Sequence, residues 1–115
     1  MTMVIIRDAL SREELKQMAG RLFGDLVKAV VDVDRELVAV DAELHADLEA
    51  LLLDDGSEQK SLWGINLYPE AEADDFVEFD SLINMRPSQA NKSRGVEHEA
   101  TRKRILAIVM KRIPR

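Results

Sequence analysis

A chain of 115 residues, 46% apolar and 33% charged, fits one domain spanning residues 1–115 and excludes a disordered or fibrous composition. Without cysteine it has neither a disulfide framework nor a thiolate metal site. The formal charge of −6 conceals two opposed blocks: residues 41–80 sum to −12 and residues 81–115 to +7. The blocks are expected to neutralise each other within the fold or across a dimer; the alternative is a basic face turned to an anionic partner.

The first residues lack the basic and apolar regions of a secretory signal, and no stretch approaches the roughly 20 apolar residues of a membrane helix. A cytoplasmic location without membrane contact is therefore expected. Val4, Ile5 and Ile6 read as an opening strand. Ser11 and Glu14 then form a capping box, with Leu10 and Leu15 placed as a hydrophobic staple. Leu15, Met18, Ala19 and Leu22 recur at helical spacing before Gly24, which predicts a helix over 12–23.

From Leu26 the period changes to two. Val27, Ala29, Val31 and Val33 form one face of a strand with a single buried side, and Asp34-Arg35 turns the chain into a second strand over 36–40. Residues 42–53 fit both a helical and an alternating pattern. Their Ala, Glu and Leu content and the Asp54-Asp55-Gly56 stop favour a helix. Residues 62–67 and 76–85 read as strands paired in a hairpin around an acidic connection. A polar loop over 86–95 leads to a final helix over 97–113 with Leu106, Val109, Met110 and Ile113 as its apolar stripe. The sum is an α+β domain: a mainly antiparallel four- to five-stranded sheet packed with two or three helices, the first and last by their apolar stripes.

The loop gathers the residues best suited to an oxyanion. Arg86, Ser88, Gln89, Asn91 and Arg94 supply guanidinium, hydroxyl and amide donors. Pro87 restricts the conformation of Arg86. A solvated connector whose polar side chains satisfy backbone groups is the competing reading. In the first strand of the hairpin, Trp63 shares a face with Ile65 and Leu67, while Asn66 and Tyr68 share the other with Gly64. Trp63, Asn66 and Tyr68 are candidates for a pocket floor, although Trp63 also suits a core anchor.

Glu78 and Asp80 on one strand face are candidate ligands for a hard divalent ion, as are Asp54 and Asp55, but acids are expected by chance in a segment so acidic. His45 beside Asp47 suggests a general base, yet no nucleophile is tied to it by spacing. The glycines form no phosphate-binding or dinucleotide motif, so no cofactor is assigned.

The segments Val27-Lys28-Ala29-Val30-Val31-Asp32, Leu62-Trp63-Gly64-Ile65-Asn66-Leu67-Tyr68-Pro69 and Ile83-Asn84-Met85-Arg86-Pro87-Ser88-Gln89 resemble a small prokaryotic family catalogued as a domain of unknown function. The likeness spans nearly the whole chain. It implies a single prokaryotic, cytoplasmic domain and lends no activity, cofactor or catalytic residue. Where that family tends to carry an acidic residue and a proline, this chain has His98 and Glu99, which leaves the cap of the last helix open.

Three functions follow in order. The first is a binding or regulatory module, expected to self-associate or to take an anionic small molecule or protein partner. The second is a small enzyme acting on a phosphorylated or other anionic substrate, with Arg86, Gln89, Asn91 and Arg94 as the clamp and Glu78 or Asp80 holding a metal. Nucleic-acid binding through the basic tail stands third because of the overall acidity.

Overall fold

β2, the central strand, shows how the fold is built. Val27–Asp32 is flanked by β3 (Leu37–Val40) and β4 (Leu62–Leu67), and outer strands β1 (Val4–Ile6) and β5 (Val77–Glu78) complete a five-stranded sheet of order β1-β3-β2-β4-β5. Every pairing is antiparallel. The computed structural model describes residues 3–115.

β2 carries buried residues on both faces, not on one. Val27, Ala29 and Val31 join the larger core, where α1 (Arg12–Arg21) and α3 (Glu99–Arg112) cover the sheet. Val30 points the other way, into a smaller core with Leu37, Ala39, Leu48, Leu52 and Leu62 beneath α2 (His45–Asp54). The ambiguous segment is thus a helix. Its presence on the second face is why the expected one-sided alternation of β2 fails at Val30.

α1 begins with the expected capping box, Ser11 accepting from Glu14 and Glu14 reaching back to Ser11, and Leu10 and Leu15 are both buried. Past its last turn, Gly24 has φ +92° and donates to the Ala19 carbonyl at 2.6 Å, a left-handed exit that glycine makes without strain. The β2–β3 turn is held by Asp32, fully buried, whose Oδ1 accepts from the amides of Asp34 and Arg35 while Oδ2 accepts from Ser57. Arg35 and Arg7 both grip Asp55, tying the end of α2 to that turn.

Two expectations need correcting. The strand predicted over 76–85 ends after Glu78, because Ser81 caps a 3-10 turn, Leu82–Asn84, by accepting from the Ile83 amide. In α3 the buried positions are Ile105, Ile108, Val109 and the following Ile113, while Leu106 and Met110 are 39% and 46% exposed. The helix is apolar on more than one side, so two stripes fitted the period and the sheet selected the other. Its N-cap is His98, whose side chain makes no capping bond.

The charge blocks neutralise each other only locally. Arg94 with Asp80 joins the basic segment to the acidic one, whereas Arg104 and Lys111 of α3 pair with Asp34 and Glu36 near the β2–β3 turn.

Candidate functional site

Two donors of the polar loop, Arg86 and Asn91, are buried, and Gln89 is half-buried. Arg86, 9% exposed, donates to the carbonyls of Ile83, Gln59 and Leu62 and lies 4.5 Å over the Trp63 ring. Burial lowers its pKa from the usual arginine range. Gln89 donates to the Lys60 carbonyl, and Asn91, fully buried, donates to the carbonyls of Asn84 and Gly95 while accepting from the Glu97 amide. Ser88 is exposed. Arg86, Gln89 and Asn91 are spent on backbone carbonyls and do not converge on one hollow.

The 3-10 turn before the loop explains Gly64. Asn84 accepts from the Gly64 amide at 2.8 Å and donates to its carbonyl at 2.9 Å, so one side-chain amide takes the place of a neighbouring strand. A Cβ on residue 64 would lie 2.5 Å from Ser81 Cβ and 3.2 Å from His45 Cδ2. Glycine is needed here because the Ser81-capped turn and α2 both rest on this backbone.

The remaining candidates do meet. Asn66, Tyr68, Glu78, Asp80 and Arg94 line a hollow of about 540 Å³ on the face of the sheet that carries α2. Trp63 lies on the opposite face in the larger core. Asn66 Nδ2 and Tyr68 Oη both donate to Glu78 Oε1, at 2.8 and 3.0 Å, and Arg94 Nε donates to Asp80 Oδ1 at 2.7 Å. Burial, followed by the Glu78 hydrogen bond, raises the Tyr68 pKa, so the phenol stays protonated. Among the described residues no group of three or more His, Asp or Glu could hold a metal ion. Asp54 and Asp55, the other acidic pair, line none of this hollow, and Asp55 is taken by Arg7 and Arg35.

Two residues complete the hollow that the sequence did not place there. Lys28 of β2 lies directly across from Asn66 in the sheet register and has no ion pair among the described residues; its ammonium sits 5.3 Å above the Phe23 ring. His45, 8% exposed, opens α2. Its Nε2 is 2.8 Å from the Ile65 carbonyl, which fixes the proton on Nε2 and leaves Nδ1 as an acceptor without a partner among the described residues. Burial lowers its pKa below the usual 6.5, outweighing the opposing Ile65 bond, so the ring is neutral at pH 7.

The start of α2 borders the hollow through Leu44, His45 and Ala46, and Leu44 at the N-cap has no side chain able to cap it. Free N–H groups and the positive end of the helix dipole therefore face the same space. Phe23, Leu26, Leu82 and Ile83 supply apolar walls. Lys28 was legible only as the polar side of β2. Recognising it requires knowing that β2 pairs with β4 so that Lys28 meets Asn66.

Fold and hollow together define a small α+β domain with a mixed polar and apolar cavity at one end of an antiparallel sheet. The chain belongs to the family described as Protein of unknown function (DUF5674), whose profile matches residues 4–112. No curated protein and no solved structure matches it. No helix among the described residues is long and apolar enough to cross a membrane.

Proposed function

We propose that this domain is a binding module that captures a small anionic organic molecule in the hollow between the start of α2 and the ends of β2, β4 and β5. The observation that carries the reading is Lys28, a cation with no ion pair among the described residues, lining a hollow of about 540 Å³ beside the uncapped N-terminus of α2. That volume lies within the roughly 300–1,000 Å³ of small-molecule sites, and the lining has their usual character, apolar walls with a few convergent polar groups. An anion there meets Lys28 and the free amides of α2. Arg94 stands at the rim, held by Asp80.

The reading moves the anion site away from Arg86, Ser88, Gln89 and Asn91, and keeps Arg94. The test is calorimetric titration with small apolar carboxylates and phosphates, compared across wild type, Lys28→Met and Ser88→Ala. Lys28→Met is expected to weaken binding at least tenfold, about 1.4 kcal/mol, with Ser88→Ala unchanged. Equal affinity in the Lys28 variant, or loss in the Ser88 variant, would refute it.

A second reading is favoured by His45. A neutral imidazole whose free Nδ1 is the only unprotonated ring nitrogen is suited to accept a proton from a bound substrate. It predicts turnover of the bound molecule, detectable by NMR of ligand incubated with protein and absent in His45→Gln.

A further inference from the structure

The anion occupies one end of the hollow's floor, and the other end has the opposite character. Sheet register sets Lys28, Asn66 and Glu78 side by side on β2, β4 and β5. A cation, an amide and a carboxylate thus form one row across three strands, its ends about 10 Å apart at the α carbons. At the acidic end, Glu78 Oε1 accepts from both Asn66 and Tyr68, while Oε2 has no hydrogen-bond partner among the described residues. Asn66 Oδ1 lacks one too but is buried below the surface of the hollow, which leaves Oε2 of the exposed Glu78 as the open acceptor.

Between these ends the rim is apolar. Phe23, Leu44 and Leu82 are 40%, 56% and 67% exposed around the hollow, more apolar surface than folding alone would leave in one place. A purely anionic ligand would use the Lys28 end and leave Glu78 Oε2 idle, facing a carboxylate that repels it. A purely cationic ligand would face Lys28 and the positive end of α2.

Resting on the anion-binding reading, we propose that the ligand is a zwitterion, an apolar amino acid or short peptide. Its carboxylate lies at Lys28 and the start of α2, its ammonium is taken by Glu78 Oε2, and its side chain covers Phe23, Leu44 and Leu82. The charge row of the sheet then reads the molecule end to end, which selects for both termini and not for either charge alone.

The experiment titrates wild type with leucyl-leucine, its N-acetyl derivative and its C-terminal amide. The free dipeptide is expected to bind, and each derivative to bind at least tenfold more weakly. Glu78→Gln, which keeps the acceptor used by Asn66 and Tyr68, is expected to weaken the free dipeptide by a similar factor and to leave the affinity of the N-acetyl derivative unchanged. An N-acetyl derivative that binds wild type as tightly as the free dipeptide overturns the zwitterion and leaves the anion site standing. A C-terminal amide that binds undiminished overturns both. Failure of all three compounds to bind rejects the dipeptide class and, with negative results from simple carboxylates and phosphates, the anion site too.

Discussion

His45 has its Nε2 edge turned to the sheet, against Gly64 and the Ile65 carbonyl, so accepting a proton would mean charging Nδ1 in a nearly closed setting. Burial, Lys28 and Arg94 all oppose that charge, and so does the positive end of α2, while the Ile65 bond and Asp80 favour it; burial is the largest influence and the pKa falls. The folded state is then the one that binds fewer protons just below pH 6.5, the ordinary histidine value. Stability contributed by neutral His45 is complete above that pH and is lost as pH falls from about 6.5 toward the lower folded pKa. Urea midpoints measured from pH 8 to 5 should fall in wild type and stay flatter in His45→Gln, which can still donate to Ile65. Superimposable profiles would show that the ring is not held neutral. Glu36, Asp55 and Glu97, whose pKa values are lowered by Lys111, by Arg7 and Arg35, and by the amides of Ser93 and Lys92, act in a separate window. Their ordinary values are 4.5, 3.8 and 4.5, and their contribution is lost only as pH falls below that range.

At the scale of elements, the segment after β5 shows what a side-chain amide can do in place of a strand. Asn84, fully buried, satisfies the N–H and C=O of Gly64 and the carbonyl of Arg94. Asn84→Leu keeps the volume and orphans those groups, each at about 1–3 kcal/mol when buried. Chemical denaturation should therefore show a loss of more than about 2 kcal/mol, against a negligible change for Ser88→Ala nearby; a loss below about 1 kcal/mol would mean that water reaches Gly64. This segment was also the hardest to read. α1 was legible because Ser11, Glu14 and Gly24 act on neighbours within a few residues. The strand-like composition of Leu82, Ile83 and Met85 hides the Ser81-capped turn that ends β5, and what seats that turn is the bond of Asn84 to Gly64, 20 residues away. The donors Arg86, Gln89 and Asn91 were visible, but not that carbonyls at Gln59, Lys60, Leu62 and Asn84 would consume them. Of the hollow, Asn66 with Tyr68 followed from strand alternation, while Lys28 depended on register that no local pattern encodes.

For the molecule as a whole, stability is set by one sheet shared between two cores, and this orders how its parts open. β2 is paired on both sides and buried on both faces, so exposing any of Ala29, Val30 or Val31 requires disrupting α2 or the α1 and α3 layer together with β3 or β4. Their amides should exchange only through global unfolding, with a free energy equal to that from denaturation. β1 and β5 are edges with pairing on one side and only three and two residues, so their amides should exchange by local opening. The polar segment is the discriminating case. A solvated connector would exchange at once, whereas here the Ser81 amide bonds to Arg94, Arg86 and Asn91 bridge each other, and the Asn84, Asn91 and Arg86 side chains clamp it to β4 and the turn before it. Native-state exchange followed by NMR should place the amides of Ser81, Arg86 and Asn91 well above those of β1 in protection and near those of β2. Ligand in the hollow should raise protection first at Asn66, Glu78 and the start of α2, where it lies. If the Arg86 and Asn91 amides exchange as fast as an unfolded chain, the loop is not the clamp that seats Gly64 against Ser81 and His45, and the hollow loses the rigid wall on which its selectivity depends.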